Sequence, residues 1–384
     1  MIEETPMYAA KPSFKRVIEY PLPASSQTHE VVSIAPDLIL ISQQPSGGLV
    51  KMRVNPGTGR PIESVVHIID NPFSGLHGLT VSKRHPGCLW VTLQFQSELL
   101  LIDPVAHDLA AAPRTLQKIQ LPEPARGPHV VAEDGDILWA SCKDSHHVAR
   151  VDTHDPDHPR IIPCPPRPVF VQVHPASGDV YATLDQSSAL FRIPADPAQA
   201  PCEIAIPGEI GNTPVGMVPG PDGNLWLALL GNASGGNGSF GRILADGEID
   251  WFQLTAGPAK GASFIHLGFS PDPSKSNTIY LLASSMADGA ALNGVVQVVL
   301  NEDYSQIGPQ QTIAFPTQQS MTHRVLCTER SLYATELGAC CLAHLAPAFS
   351  PYGEGVNEMA DAYSLWGCGV PGQTIRYHGP DLER

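Results

Sequence analysis

The chain of 384 residues consists of short apolar runs separated by polar turns. One arrangement of the two recurs at intervals of about forty residues, which is the period of propeller blades. A turn with Pro, and often His, opens each copy, and an apolar run, an Asp/Gly turn and an aromatic-led strand follow. The clearest copies start at Gly75-Leu76-His77-Gly78, Gly127-Pro128-His129 and Thr213-Pro214-Val215-Gly216. Short strands between Gly, Pro, Asp and Asn turns indicate an all-β protein.

Alignment on the aromatic position gives seven copies, with Ile41, Trp90, Trp139, Tyr181, Trp226, Tyr280 and Tyr333 in equivalent places. We therefore expect a seven-bladed β-propeller, with six or eight blades as alternatives because the sixth repeat is irregular. The last repeat, Met321 to Pro347, lacks an outer strand, whereas Phe14 to Pro23 has the pattern of one. The N-terminal strand is predicted to complete the last blade, which closes the ring and protects its edges.

One domain is expected despite the length, because every interface between blades is part of the core. Residues 14–347 are assigned to a single propeller, with residues 14–23 as its closing strand. Residues 1–13 form an N-terminal tail, and residues 348–384 form a C-terminal tail packed on the propeller. Helical periodicity is weak, and Met359 to Leu365 is the only candidate for a helix.

The formal net charge of −15, with no basic cluster, argues against nucleic acid or an anionic membrane as a partner. No apolar run has the length of a membrane-spanning helix. The first residues lack the features of a secretion signal, whereas Asn232 and Asn237 each begin a possible N-glycosylation sequon. Cytoplasmic and secretory locations both stay open, as does the oligomeric state. Cys368 either forms a disulfide with Cys340 or Cys341, or all three are reduced.

Candidate site residues come from the innermost strand of each blade, which lines the central channel of a propeller. One column of rim positions reads His29, His77, His129, Val169, Val215, Ile265 or His266, and then Thr322, His323 or Arg324. A second, polar column follows the aromatic strands and reads Gln43, Gln44, Gln94, Lys143, Asp185, Asn232, Ser284 and Glu336. The two columns are expected to meet at one rim, although a register error of one residue would turn a side chain away.

Several imidazoles at one rim favour general acid–base or hydrogen-bond catalysis near neutral pH. The alternative is that each His packs under its neighbour and bonds a backbone carbonyl. The residues assigned to catalysis are His77, His129, His266, His323 and Arg324. Those assigned to substrate binding are His29, Gln43, Gln94, Phe264, Met286 and Glu336. No metal ligand and no cofactor are predicted.

Three further features of the sequence lie outside these two columns or beside them. The insertion Ser284 to Leu292, with Met286, is either a lid over the channel or an ordinary loop. His85, His107, His154, His158 and His174 are expected in solvated outer loops. Asp144, His146 and His147 are not expected to form a metal site, because adjacent residues of a strand point to opposite faces.

The repeat resembles that of the virginiamycin B lyase family. The resemblance is carried by Gly127-Pro128-His129 with Asp134 to Trp139, and by Pro221 to Trp226 with Gly241-Arg242-Ile243 and Asp246 to Ile249. It implies a seven-bladed propeller with an active site at one mouth, and a lyase that opens a macrocyclic lactone with magnesium, a Glu and His residues. The Glu-x-His constellation of that lyase is absent, since Phe264 stands two residues before His266. Lactonases of the gluconolactonase type share the architecture but need inward carboxylates and amides for calcium, and acids are few here.

A pocket rich in His, Gln, Phe and Met suits an apolar, drug-sized ligand. The profile is also similar to the fungal hetero-Diels–Alderase group of natural-product propeller enzymes. The main hypothesis is therefore a cofactor-independent enzyme that cyclises an apolar small molecule in the channel mouth by a hetero-Diels–Alder-type reaction. In it, a His or Arg324 donates a hydrogen bond to the diene oxygen. The alternatives are a magnesium-dependent C–O lyase acting on a cyclic depsipeptide, and a non-catalytic propeller that binds a ligand or partner.

Overall fold

The structure, a computed structural model, describes residues 14–23, 27–232, 235–287, 292–347, 358–359, 361–363, 372 and 374–378. Several predictions lie wholly or partly outside these residues: the 1–13 tail, most of the 348–384 tail, the pairing of Cys368, the sequon at Asn232 and most of the predicted lid. Among the described residues, no helix is long and apolar enough to span a bilayer.

Seven antiparallel sheets form the seven blades of a β-propeller, as predicted. The first strand of the chain, β1 (Phe14–Pro21), belongs to the last blade. Blade 1 contains β2 (Thr28–Ala35), β3 (Leu38–Gln43), β4 (Gly48–Val54) and β5 (Pro61–Ile68). Blade 2 contains β6 (Leu76–Val81), β7 (Leu89–Leu93), β8 (Glu98–Asp103) and β9 (Arg114–Gln120). Blade 3 contains β10 (Pro128–Asp134), β11 (Ile137–Cys142), β12 (His147–Asp152) and β13 (Asp155–Pro163).

The remaining blades repeat this order from the channel outwards. Blade 4 contains β14 (Pro168–Val173), β15 (Val180–Leu184), β16 (Ala189–Ile193) and β17 (Cys202–Ala205). Blade 5 contains β18 (Pro214–Pro219), β19 (Leu225–Leu229), β20 (Ser239–Ile243) and β21 (Ile249–Gln253). Blade 6 contains β22 (Phe264–Phe269), β23 (Thr278–Ala283), β24 (Gly294–Leu300) and β25 (Ile307–Ala314). Blade 7 contains β26 (Thr322–Cys327), β27 (Leu332–Glu336), β28 (Cys341–Pro347) and β1. The described residues also contain three short 3₁₀ helices, Gln44–Ser46, Gln94–Gln96 and Pro273–Lys275.

The N-terminal strand closes the ring, which confirms the predicted closure. Strand β1 pairs antiparallel with β28, from Phe14 opposite Pro347 to Pro21 opposite Cys341. Three short strands add to outer edges: β29 (Glu358–Met359) runs parallel to β1, and β31 (Thr374–His378) joins β5 to β30 (Asp361–Tyr363). The helix expected at Met359 to Leu365 is therefore wrong, because the described part of that segment forms strands.

The core lies between blades, where the apolar faces of neighbouring sheets pack together. Trp90, Trp226, Tyr181 and Tyr333 are all buried at the aromatic position of the second strands. The registers place Leu40, and not Ile41, in that position of blade 1, because Gln43 pairs with Thr28 as Leu93 pairs with Leu76 in blade 2. The alignment of blade 1 was therefore displaced by one residue.

Two repeated features hold the inner strands at the channel. The residue before each inner strand has a left-handed backbone in six of the seven blades: Gln27, Gly75, Gly127, Arg167, Thr213 and Met321. In five blades a second-strand hydroxyl donates to the carbonyl of the rim residue in the next blade. These donors are Ser42, Thr92, Ser141, Thr183 and Thr335. They fix neighbouring blades to one another at the rim, where the predicted site lies.

Candidate functional site

The rim positions of the seven inner strands share one structural register, and their side chains divide the channel mouth into two arcs. Its members are the second residues of the seven inner strands: His29, His77, His129, Val169, Val215, Ile265 and His323. Blades 7, 1, 2 and 3 thus supply imidazoles in an unbroken arc, and blades 4, 5 and 6 supply aliphatic side chains. We call His323, His29, His77 and His129 the histidine arc.

Neighbouring rings of the histidine arc are in contact. The ring centroids are 4.8 Å apart for His323 and His29, 4.6 Å for His29 and His77, and 3.7 Å for His77 and His129. All four residues are at most 9% exposed, so little water reaches the rings. The arc is therefore a continuous wall of imidazole at one side of the mouth.

Each ring of the histidine arc is oriented by a bond from Nδ1 to a backbone carbonyl. His77 bonds the carbonyl of His129 at 3.0 Å, and His129 bonds that of Val169 at 3.0 Å. His323 bonds the carbonyl of His29 at 3.3 Å, and His29 bonds that of Gln27 at 2.8 Å. A carbonyl only accepts, so Nδ1 carries the proton and the neutral ring has its lone pair on Nε2.

Burial keeps the histidine arc uncharged. It lowers the pKa of His29 to about 4 and the pKa values of His77, His129 and His323 well below 6.5. The positive charge of Lys143 lowers the pKa values of all four further, because it disfavours a second cation nearby. At neutral pH the arc therefore presents neutral Nε2 atoms whose lone pairs can accept a hydrogen bond or ligate a metal, and that do not donate.

A cavity of about 560 Å³ lies over the histidine arc. Besides the four histidines it is lined by Gln44, Gln94, Phe95, Lys143, Asp144, His146, Arg167, Met286 and Leu337. Gln44 donates to Gln94 at 2.5 Å, and Gln94 donates to Asp144 at 3.2 Å, which fixes both amides along the rim. Half-buried Lys143 supplies a cation, and Arg167 lies 3.2 Å from Asp185.

A second set of polar groups lies deeper in the channel. Arg324 is 3.1 Å from Glu30, and its guanidinium lies 5.1 Å from the centroid of Phe170. Blades 7 and 4 are not neighbours, so this contact crosses the channel. The His266 ring lies 5.9 Å from that of Phe170, and its Nδ1 accepts a bond from the backbone of Val325. Glu30 Oε1, Arg324 Nη1 and His266 Nε2 have no hydrogen-bond partner among the residues described.

Six predicted site residues lie on the cavity: His29, His77, His129, His323, Gln94 and Met286. The predicted catalytic residues His266 and Arg324 do not line it; they occupy the deeper set, one position further along the inner strand. Phe264 is fully buried in the core between blades 5 and 6. These three placements correct the predicted site.

Gln43 and Glu336 were also assigned to the site, although each lies one residue before the position that lines the cavity. Both occupy the last position of a second strand, and both are at most 1% exposed. Gln43 donates to the carbonyl of Pro23, and Glu336 lies close to Glu19 within blade 7. The next residues, Gln44 and Leu337, line the cavity in their place. His174, expected to be solvated, is fully buried and bonds the carbonyl of Ile243.

The site residues that the sequence analysis missed follow from the same two columns. Lys143 stands in the second column but was not selected, and Asp144 and His146 come directly after it. Arg167 occupies the left-handed position before β14 that Gly75 and Gly127 fill in other blades. Phe95 belongs to the 3₁₀ helix Gln94–Gln96 and is 58% exposed. An alignment of the left-handed positions would have found Arg167.

Comparisons with known proteins agree on the fold. No protein-family model and no curated protein matches the chain. A streptogramin B lyase structure matches with a TM-score of 0.64 at 17% identity, covering 86% of this chain and 97% of that one. Virginiamycin B lyase from Staphylococcus aureus with quinupristin matches with a TM-score of 0.65 at 15% identity, covering 86% of this chain and 99% of that one. That structure is of a catalytically inactive variant in which alanine replaces a histidine. The WD40 repeats of RRP9 match with 0.63 at 8% identity, over 88% and 100%. At these identities the likeness shows the propeller fold alone.

Proposed function

We propose that the cavity over the histidine arc is the active site of an enzyme that removes a proton from a small carbonyl compound. The observation that carries this proposal is the orientation of the arc, in which every Nδ1 bonds a carbonyl and every Nε2 keeps its lone pair. Lys143 lies on the same cavity and interacts electrostatically with all four rings. A neutral base beside a fixed cation suits the formation of an enolate.

His129 is the proposed base, because it stands at the end of the arc with one imidazole neighbour. Its Nε2 takes the proton from the carbon next to the carbonyl, and the C–H electron pair forms the enolate, whose oxygen Lys143 stabilises. Where a C–O bond lies at the next carbon, the enolate expels that oxygen with its electron pair and a C=C bond forms. The leaving oxygen then receives the proton from His129, so the overall reaction is an elimination.

Elimination is the reaction class of lyases, and a protein of similar fold, virginiamycin B lyase, carries that name. The variant of that lyase in which alanine replaces a histidine is catalytically inactive, which indicates that a His is needed there. The magnesium ion that the resemblance implies does not suit the histidine arc, since magnesium prefers oxygen ligands and the arc offers nitrogen. Glu30 is held by Arg324, and His266 has the Arg324 guanidinium as its charged neighbour. No step is therefore assigned to magnesium.

Hydrogen exchange in D₂O tests the proposal directly. The probes are quinupristin and simple β-acyloxy esters, and mass spectrometry follows deuterium at the carbon next to the carbonyl together with the ring-opened or eliminated product. We expect both signals with the wild-type protein. His129→Gln removes the base and should reduce them about 100-fold or more. Lys143→Met should reduce them about 100-fold, because the enolate oxygen loses its cation.

His158→Gln is the matched control, because His158 lies on β13 of the same blade with a side chain that is 80% exposed. It should behave as the wild type does. Exchange that continues unchanged in His129→Gln would contradict the role of the arc. Probes that bind without exchange or turnover would support a binding propeller.

Cyclisation of an apolar molecule is the second candidate, and three apolar side chains on an otherwise polar cavity favour it. Phe95, Met286 and Leu337 are the apolar residues of the lining that a hydrocarbon chain would contact. The arc, however, carries no free N–H, so the donor to the diene oxygen would be Lys143, and not a rim His or Arg324. An ortho-quinone methide with a tethered alkene, generated in the assay, is a probe that distinguishes cyclisation from elimination. Cyclisation should survive His129→Gln and fail in Lys143→Met, whereas elimination needs both residues.

A further inference from the structure

Three members of the histidine arc converge closely enough to hold a metal ion. One ring nitrogen each of His29, His77 and His323 lies within 4.8 Å of the other two. The three residues come from blades 1, 2 and 7, and the His77 and His323 centroids are only 5.8 Å apart although a blade separates them. No metal ligand was predicted among these residues from the sequence.

Backbone carbonyls hold these three rings in place. Metal-ligating histidines are in general oriented in the same way, by a bond from the other ring nitrogen to a carbonyl or a carboxylate. The Nδ1 bonds of His29, His77 and His323 end on the carbonyls of Gln27, His129 and His29. Two of these carbonyls accept a further bond from Thr92 and Thr335 of the second strands, at 3.1 and 2.6 Å. Because the acceptors are themselves fixed, the tautomer is set and Nε2 is left as the ligand atom.

The donor set determines the class of metal. Three neutral imidazoles suit zinc, cobalt, nickel and copper, and they suit magnesium or calcium poorly. Zinc with Zn–N bonds of about 2.0–2.1 Å requires nitrogens about 3.4 Å apart in a tetrahedron, which compares with separations of up to 4.8 Å among the three ring nitrogens here. The cavity over the arc leaves the fourth position for water or a substrate oxygen.

We propose that His29, His77 and His323 form a three-histidine site for a divalent transition-metal ion, with an open position towards the cavity. The site goes beyond the proposed function and does not depend on it. His129 remains outside the ligand set. Lys143 opposes the ion electrostatically, because its ammonium carries the same sign of charge.

Metal titration of the chelator-treated, dialysed protein tests the site without reference to activity. Calorimetry with zinc chloride and visible absorption with cobalt chloride should each show one equivalent bound, with the spectrum of a tetrahedral cobalt site. His29→Gln and His323→Gln should each weaken zinc binding at least about tenfold. Lys143→Met should tighten binding several-fold, since it removes the competing charge. His129→Gln should keep the stoichiometry.

Two controls keep the result interpretable. His154→Gln and His158→Gln change exposed histidines and should leave zinc binding as in the wild type. If an arc variant fails to fold, X-ray absorption of the zinc-loaded wild type counts the ligands without any substitution. A shell of three imidazoles supports the proposal. Absence of binding for zinc, cobalt, nickel and copper, a sulfur or all-oxygen shell, or unchanged binding in both folded arc variants would overturn it.

Discussion

At the scale of single residues, the ring nitrogen that makes the hydrogen bond differs between the histidine arc and three other buried histidines. His67 and His174 bond backbone carbonyls through Nε2, at 2.8 and 2.9 Å, and His344 contacts the Ser331 hydroxyl through the same atom. The four members of the histidine arc use Nδ1 instead. A sequence shows which residues are His, but the tautomer depends on which backbone carbonyl lies beside the ring, and for His77, His129 and His323 that carbonyl belongs to the next blade. Only the packed structure supplies that position.

The close approach of inner strands at the rim gives a prediction for Gly78, the residue after His77. A Cβ at this position would lie 2.6 Å from the carbonyl oxygen of His129, which is also the acceptor for the His77 ring. Gly78→Ala must displace β6 or β10, and we expect it to destabilise the protein by about 2–4 kcal/mol. Urea unfolding followed by tryptophan fluorescence measures the change.

Gly208→Ala is the control for that substitution, because nothing lies within 4 Å of the new Cβ and its φ is not left-handed. It should change the free energy of unfolding by less than about 1 kcal/mol. Equal stability of the two variants would show that the inner strands can separate without cost, and that the arc is less rigid than its contacts imply.

At the scale of strands and blades, the sequence predicted most of the fold and the rim column, because turns and aromatic positions repeat. It failed where a strand gives no sign of its register. In blade 1 the run Leu38 to Ile41 is apolar on both faces, and no aromatic residue fixes its alignment, so Ile41 was chosen over Leu40. In blade 7 the charge of Glu336 made it the more attractive candidate, although the repeat places Leu337 on the cavity. Polarity alone does not show the face of a side chain.

The same Glu336 gives a prediction for the pH dependence of stability. Burial, and then the negative charge of Glu19, raise its pKa from 4.5 to about 8. Glu19 accepts bonds from the backbone and hydroxyl of Thr317, so Glu336 is the member that stays protonated. The native state therefore binds its proton more tightly than the unfolded chain does. Stability should fall as the pH rises from about 4.5 through about 8, by about 3–5 kcal/mol in all.

Glu336→Gln should remove this dependence, because an amide stays neutral throughout the range. We expect the variant to be more stable than the wild type at pH 8 and close to it at pH 5, in thermal unfolding measured at both values. Glu329→Gln, on an exposed turn of the same blade, is the control. Parallel pH profiles of wild type and Glu336→Gln would rule out Glu336 as the source.

At the scale of the whole molecule, the candidate site lies on the seam where the ring closes. His323 belongs to blade 7, which β1 completes, and His29 belongs to blade 1, which follows β1 in the chain. The two rings are in contact, and Thr335 of blade 7 donates to the carbonyl of His29 at 2.6 Å. A deletion that removes no site residue can therefore dismantle the site, provided that it opens the seam.

Removal of residues 1–23 should have this effect, because it deletes β1 and leaves the outer edge of β28 unpaired. Cys341 of β28 pairs with Pro21 and is 3% exposed, and burial raises the pKa of its thiol to about 12. It should therefore resist alkylation in the intact ring and react readily in the truncated one, as peptide mass mapping after iodoacetamide would show. Removal of residues 1–13 leaves β1 in place and should keep Cys341 protected. The opposite outcome is that Cys341 stays protected and unfolding stays cooperative after residues 1–23 are removed. The ring would then be stable without its closing strand, and the site would depend on the contacts between inner strands alone.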